Sequence, residues 1–113
     1  MKLKPNGYKF RIIDSQIEKY LDIFGAVCIE GPKWCGKSTT SERVAKSVVK
    51  LQKPATYNQY KILADIGDDK LLSGEKPLLF DEWQKIPELC DYIRDYIDEF
   101  SGKGLFILTG SAK

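Results

Sequence analysis

The sequence has no histidine, which excludes every mechanism that needs an imidazole as base, acid or metal ligand. Cysteine is scarce: Cys28, Cys35 and Cys90 are an odd set with no C-x-x-C spacing, neither a disulfide framework nor a zinc site. The expectation is reduced thiols in a cytoplasmic protein, with Cys35 the most accessible. Long apolar runs are missing too. The longest, Phe24 to Ile29, is far short of a bilayer span. Met1 to Gly7 carries basic residues without the apolar core of a secretory signal. Charge of one sign is not in excess either. Eighteen basic residues against 16 acidic leave +2, too little to point to nucleic acid or an anionic membrane as partner. What is present, 113 residues with 42% hydrophobic and 30% charged, suits one small globular domain.

Residues 1–13 are expected to be a lead-in, locally basic through Lys2, Lys4, Lys9 and Arg11. A solvated segment is favoured over a nucleic-acid arm because acidic residues resume at Asp14. Residues 14–113 form the domain. Ile17, Tyr20, Leu21 and Phe24 repeat on one face of a helix over 14–24, with a capping box at Ser15–Glu18 and a stop at Gly25. Residues 26–30 read as a buried parallel strand. A helix is expected over 37–51, with Val44, Ala45, Val48 and Val49 inward. A short strand is expected at Ala55–Asn58, a helix broken at Gly67 over 59–72, and a turn between Gly74 and Pro77. Leu78–Phe80 reads as a strand, residues 88–100 as a helix opened by Pro87, and Leu105–Thr109 as a last strand. Strands alternating with helices imply an α/β fold: a parallel sheet between helical layers, with ligands at the carboxyl ends of the strands. Those ends are polar here: Glu30–Gly31, Asp81–Glu82 and Thr109–Ser111.

Gly31-Pro32-Lys33-Trp34-Cys35-Gly36-Lys37-Ser38 matches the phosphate-loop pattern G-x-x-x-x-G-K-[ST] in full. By composition alone the odds of a chance match in such a chain are roughly a few per thousand. The expected strand before it and helix after it are the right context. A loop opening a helix aims unpaired backbone N–H groups at one point, and the helix dipole adds positive potential. Gly31 and Gly36 allow close approach of a phosphate. Lys37 would reach the β- and γ-phosphates and Ser38 would place a hydroxyl on Mg²⁺. Pro32, Lys33, Trp34, Cys35 and Thr39 complete the binding segment. Lys33 adds charge there or is simply solvated.

Leu78-Leu79-Phe80-Asp81-Glu82 is the companion signal. Asp81 at a strand end can hold Mg²⁺ through water, and Glu82 can polarise the attacking water. Thr109 at the next strand end could contact the γ-phosphate or the water, or be a buried threonine satisfied by backbone. Trp34 and Trp83 flank the site and either pack or touch ligand. Gln84 orients water, binds a neighbouring element or is solvated.

With these residues assembled, the chain resembles the AAA-type ATPase domain of a prokaryotic family whose members usually carry a further C-terminal domain of unknown function. The resemblance rests on Arg11–Asp14, Gly25–Thr40, Asp81–Gln84 with Ile86–Pro87, and Phe106–Ala112, and is loosest over 50–75. It implies a three-layer P-loop NTPase fold. Gly31, Gly36, Lys37 and Ser38 would be the Walker A residues, Asp81 and Glu82 the Walker B pair, and Thr109 the first sensor. It also implies that a fifth core strand, a helical lid and an arginine finger should follow Lys113. Without them the phosphate-loop strand is expected to expose an apolar edge open to self-association. The protein partner is not specified.

Three functions follow from these residues. The first is ATP binding with Mg²⁺ and slow hydrolysis. The second is a non-hydrolytic nucleotide-binding or interaction fragment. The third, a small-molecule kinase, is disfavoured because Glu82 suits water activation and no Arg-rich lid is visible. A metal-dependent nuclease would also use adjacent carboxylates, but does not account for the phosphate loop.

Overall fold

The computed structural model describes residues 9–10, 14–31 and 37–111. Five parallel strands run β1 (Lys9–Phe10), β2 (Ala26–Gly31), β3 (Ser47–Lys50), β4 (Leu78–Asp81) and β5 (Phe106–Ser111), in the sheet order β1-β2-β5-β4-β3. The helices are α1 (Asp14–Leu21), α2 (Lys37–Val44), α3 (Pro54–Ile66) and α4 (Leu89–Phe100). This is the expected α/β architecture with a parallel sheet. No helix among the described residues is long and apolar enough to cross a membrane.

The pleat sorts the core into two layers, because successive strand residues face opposite sides. Val27, Ile29, Leu79 and Ile107 join Ile17 and Leu21 beneath α1 and α2. Cys28, Phe80, Phe106 and Leu108 join Leu71, Leu89 and Ile93 beneath α3 and α4. Asp81 shares its face with Leu79, and Thr109 shares its face with Ile107, so both belong to the α2 side of the sheet.

Several boundaries differ from the sequence reading. The helix expected over 37–51 stops at Val44, and Val48 and Val49 lie in β3. β-branched residues favour extended backbone, and the Lys46 N–H leaves the helix to donate to the Pro77 carbonyl at 2.9 Å. The strand expected at Ala55–Asn58 is the first turns of α3. Pro54 starts that helix rather than closing the preceding segment, since its missing N–H is no loss at a first helical position. The break at Gly67 is as expected: its φ of 67° closes α3, and a 3₁₀ turn follows over Asp69–Leu72. Helix α1 ends at Leu21 and begins at Asp14, so Ser15 lies inside its first turn rather than capping it. Gly25 serves packing: a Cβ there would lie 2.9 Å from Ile97 Cδ1. Within the segment read as a lead-in, Lys9 and Phe10 form β1 and pair with Cys28 and Ile29 along the outer side of β2.

Candidate functional site

Strand register builds the site. Gly31 lies opposite Ser111 and Ile29 opposite Thr109. Thr109 in turn lies opposite Asp81, and Asp81 opposite Lys50. The polar strand ends therefore gather along one edge of the sheet, as the sequence pattern required.

Of the phosphate-loop residues, Gly31 ends β2, and Lys37, Ser38 and Thr39 open α2. Pro32, Lys33, Trp34, Cys35 and Gly36 lie outside the described residues. The first turn of α2 contains no acidic residue. Its unpaired N–H groups and positive dipole end therefore meet no competing carboxylate from that turn.

Asp81 is only 3% exposed. Its Oδ1 accepts a hydrogen bond from Thr109 Oγ1 at 2.8 Å, and its Oδ2 accepts from Gln52 Nε2 at 3.2 Å. Burying a carboxylate is costly without such partners. The two donors hold the group in one rotamer. Thr109 is itself fully buried and directs its one hydroxyl proton at Asp81. Gln52 reaches Asp81 because the Leu51 N–H donates to the Asp81 carbonyl at 3.1 Å, which draws the end of β3 against β4. Sequence reasoning missed Gln52, since it lay just past a segment read as helix; the Val48-Val49 pair was the available signal that a strand ended beside Asp81.

Glu82 leaves the strand in the left-handed region, at φ 61° and ψ 49°. That conformation is uncommon for a residue with a Cβ. It turns the chain into a 3₁₀ turn, Trp83–Lys85. Gln84 Nε2 donates to Glu82 Oε1 at 2.6 Å, so Gln84 takes up the neighbouring carboxylate. Trp83 and Gln84 lie over the end of β5, where a Cβ on Gly110 would come within 2.8 Å of Gln84 Oε1 and 3.2 Å of Trp83 Nε1. A side chain at 110 would require the Gln84 amide and the Trp83 ring to shift. Trp83 is partly buried against the core layer of α3 and α4.

The arrangement holds one buried carboxylate rigidly and a second beside it on a turn, on the same sheet edge as a helix N-terminus. Such an edge suits an anionic ligand carrying a hard cation. A family model described as an AAA domain matches residues 24–113, which supports nucleotide binding of the ATPase type. Neither the comparison with curated proteins nor that with solved structures found a match.

Proposed function

The chain belongs to the AAA domain family over residues 24–113, and from that premise we propose that it binds ATP with Mg²⁺ and hydrolyses it at the edge where β2, β4 and β5 end. The observation that carries the reading is the pairing of a buried Asp81, held by Thr109 and Gln52, with Glu82 next to it on a left-handed turn.

In this reading the backbone of Gly31–Thr39 and the Lys37 ammonium bind the triphosphate, with Lys37 countering charge on the β- and γ-phosphates. Ser38 and Asp81 form an all-oxygen donor set of two groups, which fits Mg²⁺ because that ion keeps several of its waters. When bound, the ion neutralises charge developing on the phosphates. Thr109 and Gln52 act by holding Asp81 in one rotamer. Glu82, oriented by Gln84, accepts a proton from a water whose oxygen attacks the γ-phosphorus, while the bond from that phosphorus to the bridging oxygen of ADP breaks.

A calorimetric titration of Mg-ATP into the chain, with Lys37→Ala and Glu82→Gln beside it, tests the reading. The wild type and Glu82→Gln should bind, and Lys37→Ala should not. Phosphate release by Glu82→Gln should fall about 10²-fold or more, the usual contribution of a general base. Equal binding by Lys37→Ala would overturn the phosphate-loop assignment, and unchanged turnover in Glu82→Gln would overturn the base. Binding without any phosphate release above the Lys37→Ala level would leave the non-hydrolytic reading.

A further inference from the structure

A second recess lies away from the strand-end edge, between the segment that follows α3 and the last turns of α4. Its volume is about 340 Å³. Leu71 and Leu72 form its buried wall, and Tyr92, Tyr96 and Phe100 contribute aromatic rings. The rings of Tyr96 and Phe100 are 4.5 Å apart between centroids. Its polar lining is of one sign. Asp68, Asp69, Asp95 and Glu99 border it, and no lysine or arginine does. Asp68 spends one oxygen on the Lys70 N–H at 2.8 Å. Asp69, Asp95 and Glu99 have no ion-pair partner among the described residues.

The backbone adds to this field. Helix α3 ends at Ile66 beside the recess and α4 ends at Phe100 within its lining, and neither has a basic residue in its last turn. A helix C-terminus carries partial negative charge that lysine or arginine commonly offsets. Two such ends, four carboxylates and aromatic faces together favour a cation. They also repel a nucleotide triphosphate, so this recess is independent of the proposed catalytic edge.

The molecule shows the chemistry on a small scale. The Lys76 ammonium sits 5.1 Å from the centre of the Tyr96 ring and 5.4 Å from that of Phe106. It donates to the carbonyls of Leu72 and Gly74, each at 2.7 Å. Tyr96, one ring of the recess, thus already carries an ammonium of the chain's own, while Phe106 lies in the buried core outside the lining. The surroundings extend beyond a single side chain. Phe100 in the lining is 58% exposed, and Ile66, next to the lining residue Gly67 in the chain, is 68% exposed.

We propose that this recess is the docking site for a partner protein that inserts a lysine or arginine side chain flanked by apolar residues. The cation enters among the rings and carboxylates, and its apolar neighbours cover Ile66 and Phe100. Charge complementarity selects this occupant. A purely apolar segment would leave the carboxylates desolvated and unpaired.

The test is an NMR titration of the full chain with the hexapeptide acetyl-Ala-Leu-Lys-Leu-Arg-Ala-amide. Its control is the same peptide with acetyl-lysine and citrulline, which keeps the shape and removes both charges. The charged peptide should shift the amides of residues 67–72 and 92–100 and bind at least about tenfold more tightly than the neutral one. The exposed double variant Asp95→Asn, Glu99→Gln should lose that preference, and raised salt should weaken binding. Equal affinity for the neutral peptide, an unaffected double variant, or shifts confined to other parts of the surface would each overturn the proposal. So would binding of N-acetyl-lysine amide as tight as the peptide, which would make the site one for small organic cations. Line broadening of these amides that rises with protein concentration in the absence of peptide would also overturn it, since the occupant would then be a second copy.

Discussion

The two faces of the sheet are covered very differently. Beneath α3 and α4, Phe80, Ile86, Leu89 and Phe106 are fully buried. Tyr60 meets Phe80 edge-on at 6.2 Å, and Tyr96 meets Phe106 edge-on at 5.2 Å, the ring geometry that electrostatics favours. Beneath α1 and α2 the buried described residues are aliphatic, Ile17, Leu21, Val27, Ile29, Leu79 and Ile107, with Tyr20 and Phe24 packed against them. Helix α2 reads Lys-Ser-Thr-Thr-Ser-Glu-Arg-Val, with Val44 its one aliphatic residue. Ser41 on it is fully buried, and its hydroxyl has no hydrogen-bond partner among the described residues, at a cost of about 1–3 kcal/mol. This face is also the one that Asp81 and Thr109 share. One layer of this domain is built for stability. The other carries the strand-end carboxylate, and in the proposed reading the nucleotide adds its own contacts to that layer.

The largest effect should come from the dense layer. Phe80→Ala should lower unfolding free energy by about 3–5 kcal/mol in urea titration; a loss below about 1 kcal/mol would break the contrast. The next concerns the layer beneath α1 and α2. Mg-ATP at a hundred times its dissociation constant should stabilise the fold by about 2.7 kcal/mol. The accompanying slowing of amide hydrogen exchange should be greatest in Lys37–Val44 and least in α3 and α4. Uniform slowing would mean that the faces do not differ in the way described.

The smallest effect lies on the outside of the dense layer, where Lys61 meets Glu88 at 2.6 Å. The hydrogen bond from Lys61 holds the Glu88 carboxyl below its usual range. The bonds to Glu88 and then Asp65 raise the Lys61 ammonium. The Glu88 contribution is therefore present above the unfolded carboxyl pKa and fades as pH falls through the lowered value. The Lys61 contribution is present below the unfolded ammonium pKa and fades as pH rises through the raised one. Lys61→Met should flatten both limbs of a stability–pH curve slightly, and salt should do the same to the wild type, because the half-buried pair is still reached by solvent. An unchanged acid limb in Lys61→Met would remove Glu88 from the account.

How far these features could be read in advance depended on whether the signal was local. Phosphate-loop spacing, apolar strands ending in Asp81 and Thr109, and the Gly67 break depend on neighbouring residues and were legible. The end of α2 was not: Val44, Ala45, Val48 and Val49 fit a helical stripe as well as a helix followed by a strand. What decides between them is the distant Pro77 carbonyl that takes the Lys46 N–H. The pairing of Lys9 and Phe10 with β2 is similarly non-local. Gln52 at Asp81 was hidden by the same boundary error. The positive φ of Glu82 was hidden because no residue type announces it when the position is not glycine.

That left-handed Glu82 has a consequence for mutational access. Holding a residue with a Cβ there costs about 1 kcal/mol, and glycine would remove the cost. Every glutamate codon becomes a glycine codon through one base change. A stabilising substitution thus lies a single mutational step away, and it would delete the carboxylate that the turn displays. Selection of variants of this chain for thermal stability alone would therefore drift toward a firmer fold without a carboxylate at position 82, whereas selection for the proposed hydrolysis would hold the strained residue in place.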